Sequence, residues 1–263
     1  VPLERLTPRF LEKVWGSTQI EPWFPNTGAK IGEVWFEDNR KLPVLVKFIF
    51  TTEKLSVQVH PGDDYAARHH DSRGKTEMWH ILAAAPDANI VAGFREPVSV
   101  ERLRAAAISG EIEDLLEKHP AAPGDTFFLP AGTVHTIGAG LVLCEVQQYS
   151  DVTYRLYDYG RPRELHMDHA LAVTHREPHP VRQAPGGKHL VSCPHFTVVR
   201  RRIDSPALLP PRPGGFELLI VTEGEGSVAG QQVRCGEVFY APPGSQPLEA
   251  TGTFTLLTVS AEP

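Results

Sequence analysis

Gly124-Asp-Thr-Phe-Phe-Leu-Pro-Ala-Gly132 returns later in the chain as Gly236-Glu-Val-Phe-Tyr-Ala-Pro-Pro-Gly244. Each copy reads as a glycine–acidic turn, a short apolar strand and a proline–glycine turn that stops it. Upstream, Thr76-Glu77-Met-Trp-His-Ile-Leu82 is loosely echoed by Phe216-Glu217-Leu-Leu-Ile-Val221. A strand–turn unit repeated at this distance predicts two barrels of one design. The 24 Pro and 22 Gly, with β-rich runs between them, agree with a mainly β chain of antiparallel strands. The predicted strands are Leu42–Phe50, Leu55–His60, Glu77–Ala83, Thr126–Leu129 and Leu141–Gln148, then Phe196–Ile203, Glu217–Val221, Glu237–Tyr240 and Phe254–Val259. Leu42–Phe50 is almost continuously apolar, as in a strand covered on both faces.

Helix formers fill the segment from Ser99 to Lys118, with Ser99 placed as N-cap and Gly110 dividing it into two short helices. The first barrel is thus expected to carry a small helical insertion at about residues 99–119. A further helix is predicted around Met167–Thr174. The Pro/Gly-rich stretch Arg176–Gly187 is the expected junction, giving a first barrel over 1–180 and a second over 181–263, with Ser205–Gly215 as a loop in the second.

Composition excludes several classes. A net charge of −6 is not the basic footprint of a nucleic-acid protein. No apolar run approaches bilayer length and the first residues lack the layout of a secretory signal, so no membrane contact and a cytoplasmic location are expected. Three distant cysteines, Cys144, Cys193 and Cys235, fit reduced thiols rather than a disulfide framework.

Four side chains read as one metal site. Gln58 and His60, two apart in Leu55-Ser-Val-Gln-Val-His60-Pro-Gly-Asp63, share a face if that run is extended. Glu77 lies in Gly74-Lys-Thr-Glu-Met-Trp79, and His135 follows the first strand–turn unit. Two imidazoles, a carboxylate and an amide carbonyl suit Zn, Fe, Mn or Ni. In the second copy Pro247 stands where His135 stands in the first, which predicts a second barrel without metal.

The pattern Gly-Asp-x-x-x-x-Pro-x-Gly-x-x-His resembles a motif of the cupin superfamily, small jelly-roll barrels with a metal inside. Together with Val57-Gln-Val-His-Pro-Gly-Asp-Asp64, Gly74-Lys-Thr-Glu-Met-Trp79 and Glu145-Val-Gln-Gln-Tyr-Ser-Asp-Val-Thr-Tyr-Arg-Leu-Tyr-Asp-Tyr-Gly-Arg161, it resembles the short bacterial form of the type I mannose-6-phosphate isomerases. The resemblance covers roughly residues 1–175. It implies two cupin-like barrels, one Zn²⁺ held at Gln58, His60, Glu77 and His135, and aldose–ketose isomerisation through an enediolate. It also implies roles for Lys75, Arg155 and Asp151 beside the metal. The sequence departs from the family at Gly74, where long members carry a histidine.

Such a reaction needs stabilisation of negative charge on the substrate oxygens and a group that moves a proton between C1 and C2. Lys75, beside a divalent cation, is expected to be pushed toward its neutral form and serve as base or as substrate ligand; Asp151 is the other base or an orienting group for Arg155. Ser56 and Arg161, with Lys75 and Arg155, are expected to bind the phosphate. The expected partner is a small sugar phosphate, and the expected assembly a monomer or homodimer. Two other functions fit a metal-holding barrel: a sugar-phosphate-binding regulator without turnover, and a metal-dependent oxidoreductase. The glutamine ligand and nearby cations favour the isomerase.

Overall fold

The computed structural model describes residues 3–183, 187–210, 215–244 and 246–261. Its strands form three antiparallel sheets. A six-stranded sheet has the order Pro8–Ser17, Ile31–Phe36, Val44–Phe50, Leu141–Gln148, Glu77–Ala84 and Thr126–Leu129. A five-stranded sheet has the order Tyr154–Tyr157, Val57–Val59, His135–Ile137, Asn89–Phe94 and Leu116–Pro120. An eight-stranded sheet is built mainly on Thr197–Ile203, Glu217–Val228, Val238–Ala241 and Leu248–Ser260.

The six-stranded sheet lies between the other two, which explains its unbroken apolar strand. Every residue of Val44–Phe50 is buried. Val46, Phe48 and Phe50, with Met78, Cys144 and Val146, pack against Leu218, Ile220, Val238 and Val259 of the eight-stranded sheet. Alternation turns Ile49, Trp79, Ile81 and Leu143 the other way, onto Ile90, Ala92 and Ile137 of the five-stranded sheet. That second face also carries Lys47, Glu77 and Glu145, so the chemistry sits between the six- and five-stranded sheets.

The outer face of the five-stranded sheet is covered by helices. Helix α1 spans Asp63–His70, α2 spans Val100–Ser109 and α3 spans Met167–Val173. Leu103, Ala106 and Ala107 of α2 and Ala170 and Leu171 of α3 pack on Val57, Val59 and Leu156. The Ser99 hydroxyl accepts the Arg102 N–H at 3.1 Å, and Gly110 ends α2 with φ of 87°. The expected second helix after Gly110 is instead one 3₁₀ turn, Ile112–Leu115, followed by a strand. Leu116–Pro120 pairs with Asn89–Phe94, and that ladder overrides the local helix propensity.

The repeated sequence unit is repeated in structure. Thr126–Leu129 and Val238–Ala241 are each preceded by a positive-φ glycine, Gly124 and Gly236, and followed by another, Gly132 and Gly244. Leu129 pairs with Glu77 as Ala241 pairs with Glu217. The second copy carries longer strands than expected, Glu217–Val228 and Leu248–Ser260. The N-terminal Glu4–Arg5 joins the eight-stranded sheet beside Val238–Ala241. The expected loop over Ser205–Gly215 contains a strand, Ala207–Leu209. Residues 211–214 of that loop and 184–186 of the expected junction lie outside the described residues.

Phe48 is fully buried at the seam between the six- and eight-stranded sheets. Phe48→Ala is expected to cost about 3–5 kcal/mol in chemical denaturation, with metal binding at the opposite face retained in the folded fraction.

Candidate metal centre and active site

Three of the four expected ligands converge as buried side chains. One ligand atom from each of His60, Glu77 and His135 lies within 4.8 Å of the others. Glu77 comes from the six-stranded sheet; His135 starts a strand of the five-stranded sheet, and His60 follows another. Gln58 is the direct cross-strand partner of His135, with its amide 3.4 Å from His135 Nε2. The Pro-Ala-Gly turn ties the motifs together, because Gly132 N–H donates to the His60 carbonyl at 2.8 Å.

The hydrogen bonds around the two imidazoles fix what they present. His60 Nδ1 lies 2.9 Å from the Val152 carbonyl, and His135 Nδ1 lies 2.9 Å from the Thr133 carbonyl. A carbonyl only accepts, so each Nδ1 carries the proton and each Nε2 turns a lone pair inward. There each lone pair meets a carboxylate oxygen. His135 Nε2 is 3.3 Å from Glu77 Oε1, and His60 Nε2 is 3.6 Å from Glu77 Oε2. The Lys75 ammonium donates to Glu77 Oε2 and lies 3.0 Å from His60 Nε2. Glu77 Oε1 is buried without a hydrogen-bond partner. Acceptors that face acceptors in a buried space, with one carboxylate oxygen unsatisfied, fit a cation. Turning the Gln58 amide over would add its carbonyl oxygen to that set and leave the NH₂ to donate to Ser56.

Burial, reinforced by Lys75, holds His60 well below the ordinary histidine range, and the same causes push His135 down to about 3. Burial drives the Glu77 carboxyl up to about 7 against the pull of Lys75. Burial alone would lower the Lys75 ammonium, but Glu77 and Glu145 outweigh it and hold it above the usual lysine value. With protein groups alone the direction is therefore opposite to that expected from a neighbouring cation.

Beside this cluster is a pocket of about 460 Å³ lined by Ser56, Gln58, Lys75, Asp151 and Arg155, among others. Asp151 is exposed at its rim, and Ser56 is buried in its wall, donating to the Gln58 carbonyl oxygen at 3.1 Å. Arg161 is not among the lining residues. Its guanidinium reaches Asp158 at 3.4 Å and donates to the Lys54 carbonyl, whereas Arg163 does line the pocket.

A polar row escaped the sequence reading. Arg9, Trp35, Lys47, Glu145 and Trp79 are successive cross-strand partners on one face of the six-stranded sheet. Arg9 lies over the Trp35 ring at 4.8 Å and Lys47 lies over it at 4.3 Å. Lys47 Nζ is 3.1 Å from Glu145 Oε1, and Trp79 Nε1 donates to Glu145 Oε2 at 2.9 Å. Glu145 Oε1 is also 3.9 Å from Lys75. The sequence signal was available: a lysine in the middle of Val44–Phe50, an otherwise apolar buried strand.

At Gly74 a Cβ would come within 2.6 Å of Asp63 N and 2.7 Å of the Gly62 carbonyl carbon, both backbone atoms. The close approach of these two segments leaves no room for any side chain. The histidine of the long family members therefore has no counterpart at this position.

The comparisons agree with this geometry. No protein-family model matches the chain. It is 32% identical over 277 aligned positions to mannose-6-phosphate isomerase ManA of Bacillus subtilis, covering 86% of this chain and 87% of that one. A mannose-6-phosphate isomerase of Streptococcus mutans is 36% identical over 200 positions, 71% of this chain and 62% of that one. The chain belongs to the mannose-6-phosphate isomerase family. The crystal structure of the mannose 6-phosphate isomerase from Bacillus subtilis superposes with a TM-score of 0.88 at 27% identity, covering 98% of this chain and 99% of that one. The mainly β architecture of antiparallel sheets is thus that of the family.

Two outcomes are expected of this centre. His135→Ala should lose bound metal in dialysis followed by elemental analysis. The metal-free protein should also lose stability as pH falls below about 6.5. His60, His80, His135 and His166 are all held below their ordinary values, so the unfolded chain takes up protons there that the folded one refuses. Glu77, raised to about 7, opposes this with a single proton. The net slope is therefore loss of stability toward acid, checked by urea denaturation across pH 7 to 4 in EDTA.

Proposed function

We propose that this chain interconverts mannose 6-phosphate and fructose 6-phosphate, with Zn²⁺ held by His60, Glu77, His135 and Gln58. The observation that carries the reading is the pairing of an unsatisfied buried ligand set with a pocket that holds Lys75, Lys47 and Arg155. Homology to enzymes named for that reaction supports the substrate. A divalent cation held at the centre supplies stabilisation of negative charge on the substrate oxygens and, by engaging Glu77, weakens the attraction that keeps Lys75 protonated.

The chain's own residues divide the remaining work. Lys75 is the proposed proton carrier between C1 and C2, because it is buried at the inner end of the pocket while Asp151 stands in solvent at the rim. Asp151 then helps orient the ligand rather than abstract a proton. Lys47 places fixed positive charge where an enediolate oxygen develops, and Arg155 offers its guanidinium to the phosphate. Trp79 and Trp35 hold the Lys47–Glu145 pair in place and exclude water from one side. Ser56 offers its hydroxyl to the phosphate, and Arg161 serves by bracing Asp158, which in turn holds Arg163.

We read the two copies of the strand–turn unit as two cupin-like barrels, over residues 1–180 and 181–263, the first with its helical insertion and the second without metal. No described helix is long and apolar enough to cross a membrane. A small sugar phosphate is the proposed partner, and the cytoplasm, where such substrates are found, the proposed location.

The test is conversion of mannose 6-phosphate measured before EDTA, after it and after zinc is returned. Activity should vanish and reappear; a metal-loaded protein that converts nothing would overturn the reading. Lys75→Met should keep its metal and lose kcat by about 10²–10⁴-fold.

A further inference from the structure

Two walls of the pocket carry cations, and they differ in how those charges are compensated. On the wall of Pro8–Ser17 and Ile31–Phe36, each cation faces a carboxylate. Arg9 Nε donates to Glu37 at 2.6 Å, and Lys13 lies 3.4 Å from Glu33. On the wall formed by Tyr154–Tyr157 and the segment after it, Arg155, Arg163 and His166 line the pocket. There a single buried carboxylate, Asp158, serves both Arg161 and Arg163. It grips Arg163 by two hydrogen bonds of 2.6 Å, which fixes that guanidinium in place. Arg155 has no carboxylate partner among the described residues, and its Nε is buried without an acceptor. The exposed Glu164 and the exposed Asp151 at the rim are the other acidic groups near this wall. The wall carries a guanidinium, that of Arg155, with no ion-pair partner and a buried N–H with no acceptor among the described residues.

His166 adds a further donor of fixed direction. Its backbone N–H donates to the Arg155 carbonyl at 2.8 Å, while its ring Nδ1 accepts the Arg155 N–H at 3.2 Å. A neutral imidazole that accepts at Nδ1 carries its proton on Nε2. Burial and the neighbouring Arg155 hold the ring below the usual histidine range, so it stays in this neutral form. Its Nε2 has no acceptor among the described residues. The ring is thus pinned on one side and presents an N–H at the other.

We propose that His166 is a substrate-binding residue that donates Nε2–H to the 6-phosphate, in a corner completed by Arg155 and Arg163. The inference rests on the sugar-phosphate reading and names the subsite within it. The reacting end of the sugar belongs at the buried cluster beside Lys75, so the phosphate end falls toward the half-exposed part of the pocket. Of the two cationic walls there, this is the one with a guanidinium, Arg155, that no carboxylate among the described residues engages.

Two amide substitutions separate binding from mere support. His166→Asn keeps an oxygen where Nδ1 accepts the Arg155 N–H but cannot reach as far as Nε2. His166→Gln places an N–H near the Nε2 position. In the zinc-loaded full chain, His166→Asn should raise KM for mannose 6-phosphate by about tenfold while kcat falls far less. Inhibition by inorganic phosphate should weaken by a similar factor. His166→Gln should recover most of both, and thermal melts should show both variants folded. Recovery by Asn and not by Gln would overturn the inference and leave His166 as a support for Arg155. Wild-type values in His166→Asn would overturn it too. Absence of mannose 6-phosphate turnover in the unmodified protein, measured in the same assay, would instead overturn the proposed function.

Discussion

The Lys47–Glu145 ion pair, buried between two sheets and flanked by Trp35 and Trp79, is the constraint around which the site is organised. Both side chains are nearly inaccessible, and Lys75 and Glu77 lie buried beside them. Two ammonium groups and two carboxylates in one apolar seam are tolerated because each sign offsets the other. Losing any one leaves an uncompensated buried charge, which is far more costly than losing a surface ion pair. That mutual dependence holds Lys75 and Glu77 in fixed positions before any ligand arrives. The residual imbalance is local: Glu77 Oε1 and the inward nitrogen of His135, both acceptors, face each other at 3.3 Å.

Strand alternation allows one sheet to do two jobs. The even residues of Val44–Phe50 are apolar and lie against the C-terminal sheet, while Lys47, between them, points to the pocket. Among the described residues the C-terminal sheet adds none to the cluster, yet it covers the face that would otherwise expose Phe48, Met78 and Val146. Covering that face on folding supplies hydrophobic stabilisation against the cost of desolvating four charges on the other. The helices α2 and α3 do the same for the outer face of the five-stranded sheet. The site is thus held by strands packed on both sides, which suits a centre that must keep its geometry as substrate enters.

Much of this was legible in the sequence, because local signals carried it. The strands at Thr126–Leu129 and Leu141–Gln148 are where alternation and turn residues place them, and Ser99 and Gly110 bound α2 as capping chemistry requires. The convergence of His60, Glu77 and His135 was legible because spacing put Gln58 and His60 on one face and the turn ended just before His135. What escaped depends on pairing across long distances. Pro8–Ser17 and Ile31–Phe36 hold irregular, half-polar alternation, so their place in the sheet follows only from their partners. Lys47 was hidden in an apolar run, and its meaning appears only when Glu145 is set opposite it. Leu116–Pro120 reads as helix locally and becomes a strand through Asn89–Phe94. That Arg163 lines the pocket was not legible, because no local pattern tells which of the two arginines held by Asp158 faces it.

The central claim is that the inward nitrogens of His60 and His135 and the carboxylate of Glu77 hold one catalytic cation. Anomalous diffraction from zinc-loaded crystals, recorded on either side of the zinc edge, tests it most directly. One peak per chain should appear, in bonding contact with His60 Nε2, His135 Nε2 and Glu77. A peak elsewhere, or none in crystals of protein that is active with zinc, would contradict the account.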